Sequence, residues 1–190
     1  MNFLKLVFNF KTWILYNTTY QLCNSNPLSN WQTEYNRKLK TILKDVPDLV
    51  KKFFSFMPSL PYLYGLPKIH KLNNPLRPIV CTASSVTYKL SKFLASILKQ
   101  LNGKISSSYV LNTEDFVSKI RNIDLNGKVM VSFDVKSLFT NVPINDTLNF
   151  LEEYLETNPI DMPFSLNVLI KLIRLCVVNC FFSCNNNLYR

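Results

Sequence analysis

The chain has 190 residues, of which 47% are hydrophobic and 18% are charged. This balance predicts a packed core and argues against wholesale disorder. Lysine and arginine number 22 against 12 aspartate and glutamate, so the formal net charge is +10. That excess favours a polyanionic partner, although a basic globular surface gives the same total. Only three glycines occur, which excludes a glycine-rich phosphate loop because such a loop needs several glycines close together.

The start of the chain is apolar, but it has the pattern of neither a membrane span nor a signal peptide. No apolar run reaches the length that crosses a bilayer, and Lys5, Asn9 and Lys11 interrupt the first stretch. Residues 4–15 are therefore predicted to form a buried or partner-covered helix. The five cysteines are an odd number without a C-x-x-C pair, which favours free thiols and a reducing intracellular location.

The sequence pattern of the first half of the chain predicts a helix followed by a hairpin. Apolar residues at three- and four-residue spacing predict a helix over residues 31–56, which Pro47 ends or kinks. Prolines then forbid a long helix, and two extended pieces remain at residues 62–70 and 76–81. A turn-forming stretch at 71–74 joins them, so we expect an irregular hairpin.

Four further helices are predicted in the second half of the chain. The spacing of apolar residues places them at residues 87–101, 113–120, 145–157 and 165–178. Thr113 and Asn145 are the expected N-caps of the second and third of these helices. The last residues, from Asn185 onward, suggest no closing element.

Residues 128–135 give the clearest strand signal and end in a carboxylate. Valines and Phe133 alternate with Met130, Ser132 and Asp134, so Asp134 is predicted on the face opposite the valines. A carboxylate at this position either caps the following turn or holds a cation. Among cations, Mg²⁺ prefers such oxygen ligands.

Three segments resemble reverse transcriptases. The sequence VSFDVKSLFTNVP at residues 131–143 is similar to motif A of these enzymes. The sequences LYGLPKIHK at 63–71 and PLRPIV at 75–80 resemble the fingers signature of Penelope-like retroelements. The sequence TYKLSKFLA at 87–95 is similar to the helix that follows in that family. The order of the motifs matches the family from Tyr62 to the end of the chain.

The resemblance implies two-metal nucleotidyl transfer centred on one carboxylate. Asp134 matches the catalytic, metal-binding aspartate, and the main-chain carbonyl of Val135 would be a second ligand to Mg²⁺ or Mn²⁺. Phe139 matches the aromatic residue beneath the sugar that favours deoxynucleotides. Without the motif, Asp134 reads as a turn cap and Phe139 as a core residue.

The resemblance also implies roles for basic residues. Arg77 matches the fingers arginine that grips the incoming triphosphate, a task that suits a planar guanidinium. Lys68 and Lys71 would add charges to the same phosphates, although Lys71 is equally a plain turn lysine. Lys89 and Lys92 would contact nucleic acid. The single histidine, His70, is expected to pack or to hydrogen-bond within the hairpin rather than to bind a metal.

The expected fold is α+β, with helix-rich fingers and a partial antiparallel palm sheet of a truncated right-hand polymerase. We expect an N-terminal helical extension at residues 1–57, fingers at 58–127 and partial palm at 128–190. The implied partners are an RNA template, a DNA primer and deoxynucleoside triphosphates, without a membrane. The sequence lacks the adjacent aspartates of the later family motif, and the thumb and a GIY-YIG nuclease domain are also expected to be missing. We therefore expect the chain alone to be inactive.

Two other interpretations stay open. The chain is either a non-catalytic, basic nucleic-acid-binding remnant or a structural remnant whose exposed apolar surface makes it aggregate. The basic residues of the early helix, with Trp31 and Tyr35 among them, either contact the template backbone or form a solvated helix face. Cys176, Cys180 and Cys184 are predicted on one helix face, where burial is favoured over zinc binding because a straight helix does not converge three ligands.

Overall fold

The computed structural model describes residues 20–70, 72, 74, 76–124, 126–135, 141–178 and 180–190. Within these ranges the chain is a mixed α+β structure, as expected. Its helices are α1 (Leu28–Ile42), α2 (Pro47–Phe53), α3 (Tyr88–Leu98), α4 (Thr113–Ile120), α5 (Ile144–Thr157) and α6 (Leu166–Val177). Its strands are β1 (Tyr62–Pro67), β2 (Leu76–Cys81), β3 (Phe182–Cys184) and β4 (Asn187–Tyr189). The described helices are all too short or too polar to span a bilayer, and the helix predicted at residues 4–15 lies outside the described residues.

The helices follow the predicted periodicity, with corrections at their ends. Pro47 divides the first predicted helix, because it occupies the first turn of α2, where its missing N–H costs nothing. The N-cap of α4 is Asn112, whose side chain accepts a hydrogen bond from the Asp115 amide at 2.8 Å. The prediction of Thr113 as this cap is therefore wrong by one residue. Asn145 is not the cap of α5, which Pro143 precedes without a side-chain hydrogen bond.

The four strands form one mixed sheet in the order β2-β1-β3-β4. The strands β1 and β2 pair antiparallel, as do β3 and β4, whereas β1 and β3 run parallel where Tyr62 meets Ser183. The Ser183 amide donates to the Pro61 carbonyl at 2.7 Å and fixes this junction. The described sheet is thus mixed rather than wholly antiparallel, because the predicted hairpin pairs with a second hairpin at the C-terminal end. The assignment to a polymerase palm stays a prediction.

The second hairpin was not expected, because the last residues carry no long strand signal. Its turn is Asn185–Asn186, and both residues have positive φ angles, of 48° and 63°. Asparagine tolerates this left-handed conformation, which two-residue hairpin turns require. The expectation of no closing element is therefore wrong, because β3 and β4 complete the sheet. The backbone amide of Cys23 donates to the Leu188 carbonyl at 2.8 Å along the outer side of β4.

The strand predicted at residues 128–135 is absent. These residues belong to no helix or strand, and their apolar side chains are exposed, with Phe133 at 91%. A strand needs a hydrogen-bonded neighbour to form, and among the described residues no strand pairs with this segment. Alternation of side chains alone is therefore insufficient to produce the strand.

The described chain divides into two compact units. The first contains the described residues up to Leu94 together with Phe164–Arg190, and the second is Ala95–Pro163. In the first unit α1 packs against α6, and their buried side chains form much of its core: Tyr35, Leu39, Leu43, Leu169, Leu172 and Cys176. The division into extension, fingers and palm stays a prediction.

In the second unit, Gln100 is hydrogen-bonded to both backbone groups of Asp161. Its Nε2 donates to the Asp161 carbonyl at 2.9 Å, and its Oε1 accepts from the Asp161 amide at 3.1 Å. This pair ties the segment after α3 to the segment after α5. Leu148 and Leu155 are the buried residues of α5 in this unit.

The three C-terminal cysteines do not share a helix face. Helix α6 ends at Val177, so Cys176 lies in the helix, Cys180 in the connection and Cys184 in β3. Cys176 and Cys184 are buried, as predicted, whereas Cys180 is exposed. The prediction of one helix face is wrong because the helix ends before the second cysteine.

Candidate nucleic-acid interface

The β1–β2 hairpin presents an aromatic and basic surface to solvent. The register pairs Tyr62 with Cys81, Tyr64 with Ile79 and Leu66 with Arg77. Because partners across antiparallel strands share a face, these six residues lie together. We call them the hairpin face. Tyr62 is 54% exposed and Tyr64 is 39% exposed, and their rings are in contact, with centroids 5.8 Å apart.

The opposite side of the sheet is anchored in the protein. Leu63 is buried in a cluster with Phe182, Cys184 and Tyr189, and the ring of Phe182 stacks on that of Tyr189 at 5.5 Å. Tyr20 contacts Phe182 edge-on at 5.3 Å. Burial of this side fixes which residues of β1 face inward, because side chains alternate along a strand. The hairpin face is therefore held outward by the packing behind it.

Arg77 lies on the hairpin face without a carboxylate partner. It is exposed and sits in β2, the outermost strand of the described sheet on its side. The following Pro78 fits there because an edge strand does not need every N–H. In the described residues the three salt bridges join Lys38 to Glu34, Lys51 to Asp48 and Lys119 to Asp115. The Arg77 guanidinium is therefore not neutralised by a described carboxylate.

The other basic residues predicted around the hairpin are only partly described. Lys68 follows β1 and is half-buried, and His70 is exposed rather than packed. Lys71 lies outside the described residues. The structure thus brings Arg77 and Lys68 to the same hairpin, as the sequence suggested, and leaves the proposed contribution of Lys71 a prediction.

The first pair of the hairpin carries two shifted pKa values. A hydrogen bond between the Tyr62 phenol and the Cys81 thiol raises the pKa of Tyr62 and lowers the pKa of Cys81. A hydrogen bond to the backbone of Ala83 also lowers the pKa of Cys81. The proton is therefore retained by the phenol, and the thiolate of Cys81 is favoured on an accessible face.

Among the described residues, those predicted to be catalytic form no metal site. Asp134 and Val135 are exposed in the second compact unit, whereas Arg77 belongs to the first. Phe139 lies outside the described residues. Within the described ranges no group of three or more His, Cys, Asp or Glu residues is placed to hold a metal ion. A single exposed carboxylate does not fit a two-metal centre, because such a centre needs further ligands around both ions.

The lysines of α3 are accessible, but the aromatic residues of α1 are not. Lys89 and Lys92 are both exposed, and they lie one turn apart. Trp31 and Tyr35 are instead core residues: Tyr35 is 2% exposed, and its hydroxyl donates to the Phe53 carbonyl at 3.0 Å. A role of these two rings in contacting a template is therefore wrong.

The spacing of two tyrosines is a signal for the hairpin face within the sequence itself. Tyr62 and Tyr64 are two residues apart in a predicted strand, so alternation alone places both rings on one side. Which side faces solvent depends on the C-terminal hairpin, whose packing against Leu63 no local pattern reveals.

Comparison of the chain with protein-family models, curated proteins and solved structures gives no match.

Proposed function

We propose that the chain is the fingers and partial palm portion of an RNA-directed DNA polymerase of the Penelope-like type, and that its hairpin face contacts nucleic acid. The resemblance of three motifs in family order supports the assignment to polymerases. The observation that supports the contact is that one exposed face combines two tyrosine rings with an arginine that forms no salt bridge to any described carboxylate. The implied partners are an RNA template, a DNA primer and a deoxynucleoside triphosphate, with Mg²⁺ or Mn²⁺ expected from the family.

The chemistry of the hairpin face suits a single strand better than a duplex. Unpaired bases stack on exposed aromatic rings, and each base stacked in this way contributes about 1–3 kcal/mol. Arg77 supplies a planar group that takes two phosphate oxygens. The net charge of +10 adds long-range attraction for a polyanion. Together these features account for binding without sequence specificity.

The alternative, a non-catalytic nucleic-acid-binding protein, is favoured by one observation. Residues 128–135 form no strand, and Asp134 is exposed and outside any described group of metal ligands. Binding through the hairpin face requires none of these residues. The two functions therefore share the same interface and differ only in whether Asp134 takes part in chemistry.

The binding experiment compares two tyrosines of equal exposure. Tyr64 and Tyr109 are both 39% exposed, but Tyr109 belongs to the second unit and is not one of the six residues of the hairpin face. Fluorescence anisotropy with a labelled single-stranded RNA should show Tyr64→Leu binding about five-fold or more weakly, because one stacked base is lost. Tyr109→Leu should bind like the unchanged chain. Equal affinities for the two variants would remove the support for the hairpin face.

A further inference from the structure

Residues 128–135 present a run of exposed apolar side chains in the second compact unit. Val129, Val131 and Phe133 are 84%, 69% and 91% exposed, and Val135 is 60% exposed. Single exposed apolar residues are ordinary on a protein surface, but several that follow one another closely mark a site of association. We call residues 128–135 the exposed segment and consider it as an interaction surface.

The backbone of the exposed segment is available for pairing. Its residues belong to no helix or strand, and none of them is hydrogen-bonded to another described residue. Valine and phenylalanine favour strands, and no proline interrupts the run. Unpaired amides and carbonyls in such a run recruit a strand from another chain. The exposed segment therefore lacks only a partner to become a strand.

The exposed segment is complementary to itself when it is read in the opposite direction. An antiparallel pair that sets Val131 opposite its own copy also sets Lys128 opposite Asp134, twice. The same pair sets Val129 opposite Phe133, again twice. Opposite charges, and an aromatic with a β-branched residue, are favourable cross-strand pairs. Lys128 and Asp134 are exposed and form no salt bridge among the described residues, so their charges indicate a second copy of the chain as the partner.

Other registers lose this match. A shift by one residue would set the valines opposite residues of the other face, because side chains alternate along a strand. A parallel pair in register would set Lys128 beside Lys128 and Asp134 beside Asp134, and like charges directly opposite are destabilising. The antiparallel pair centred on Val131 has a two-fold axis, which gives a closed dimer rather than an open chain of copies.

We propose that residues 128–135 pair antiparallel with the same residues of a second copy, centred on Val131, and that the chain thereby forms a symmetric dimer. The strand that the sequence predicts is then formed between two copies instead of within one. Two strands alone are marginally stable, and the net charge of +10 on each copy opposes association, so the dimer is weak and depends on protein concentration. The inference does not rest on the proposed function, and its tests contain no nucleic acid.

The first experiment reverses the two charges and measures association by sedimentation velocity, at about 0.15 M salt and up to about 1 mM protein. The unchanged chain should form dimers. Lys128→Asp and Asp134→Lys should each weaken the dimer about ten-fold or more, because each sets like charges opposite one another twice. An equimolar mixture of the two variants should associate like the unchanged chain, since one copy then carries two acids and the other carries two bases.

Two control variants make the same charge reversals outside the exposed segment. Lys104→Asp and Glu153→Lys lie at exposed positions of the second unit, and each should dimerise like the unchanged chain. A monomer at every concentration, or a mixture that associates no more than either variant alone, would overturn the proposal. Larger species that the reversals at Lys128 and Asp134 leave unaffected would also overturn it, because they would show non-specific aggregation.

The second experiment tests the register, with oxidised glutathione as the oxidant. Val131→Cys sets two thiols on directly opposite residues, whose Cα atoms are about 4.5–5.5 Å apart, a separation that a disulfide spans. Val129→Cys, at a more exposed position, sets its two thiols about 14 Å apart. Non-reducing gel electrophoresis should show a covalent dimer of Val131→Cys well above the background of the native cysteines, and only that background for Val129→Cys. Equal cross-linking of the two variants would overturn the antiparallel pairing.

Discussion

The phenol of Tyr62 and the thiol of Cys81 are hydrogen-bonded across the first register pair of β1 and β2. The bond holds the proton on the phenol and lowers the pKa of Cys81. Both residues belong to the hairpin face, so the chemistry of this thiol reports on the interface that we propose for nucleic acid.

Cys81 should react with an alkylating agent at a lower pH than an ordinary thiol. Because its pKa is lowered, the thiolate appears earlier as the pH rises, and thiolate is the reactive form. In Tyr62→Phe the hydrogen bond is lost, so the midpoint of the rate–pH profile should move to higher pH. Peptide-resolved mass spectrometry after iodoacetamide pulses measures this. A midpoint that is the same in Tyr62→Phe and in the control Tyr109→Phe would contradict the pairing.

Asn36 should be a major contributor to stability. Its Nδ2 donates to the Ser55 carbonyl at 2.8 Å, and its Oδ1 accepts from the Ser55 amide at 2.9 Å, with both residues buried. Asn36→Ala leaves the Ser55 amide without its acceptor and should lower the free energy of unfolding by about 1–3 kcal/mol. Urea denaturation measures the loss. The control Asn30→Ala, at an exposed position of α1, should cause no loss, and equal midpoints for both variants would refute the role of Asn36.

Leu76 should leave no room for a side chain at position 65. A Cβ at position 65 would lie 2.8 Å from Leu76 Cδ1 and 3.1 Å from Leu76 Cβ. Gly65→Ala should therefore destabilise the hairpin by about 1–3 kcal/mol through overpacking. In the background of Leu76→Ala, which removes the nearest atom, the same change should cost markedly less, a coupling of about 1 kcal/mol. Additive effects in a double-mutant cycle would show that the contact does not limit residue 65.

The chain alone should not extend a primer on an RNA template with Mg²⁺. Asp134 is exposed, and among the described residues it belongs to no group of three or more side chains placed to hold a metal ion, whereas two-metal transfer needs several ligands. A gel assay with a labelled DNA primer, and a complete reverse transcriptase as positive control, measures extension. Product above the no-protein background that Asp134→Asn abolishes would show that the chain forms a working centre.

Local patterns predicted the helices and the first hairpin, because the residues that determine these elements are close in sequence. The apolar spacing of α1, α3 and α6 and the prolines around β1 and β2 act locally. The prediction of a strand at residues 128–135 is wrong, because a strand must pair with a neighbouring strand, which an alternating pattern does not supply. The hairpin of β3 and β4 was missed because three-residue strands are too short to show alternation, although Asn185–Asn186 was a usable turn signal.

The candidate site was only partly predictable for the same reason. Arg77 and Lys68 were correctly placed on one hairpin, because the turn between their strands is local. The exposure of Tyr64 depends on Phe182 and Tyr189, which pack behind the sheet from more than 100 residues away along the chain.

The central claim is that the hairpin face contacts nucleic acid, and Arg77 tests it most directly. Arg77→Gln and Arg121→Gln remove the same charge from exposed positions, but only Arg77 lies on the hairpin face. The measurement is the affinity for single-stranded RNA as a function of salt concentration. We predict that Arg77→Gln weakens binding and lowers the salt slope by about one contact, while Arg121→Gln leaves both unchanged. Identical salt slopes and affinities for the two variants would contradict the account.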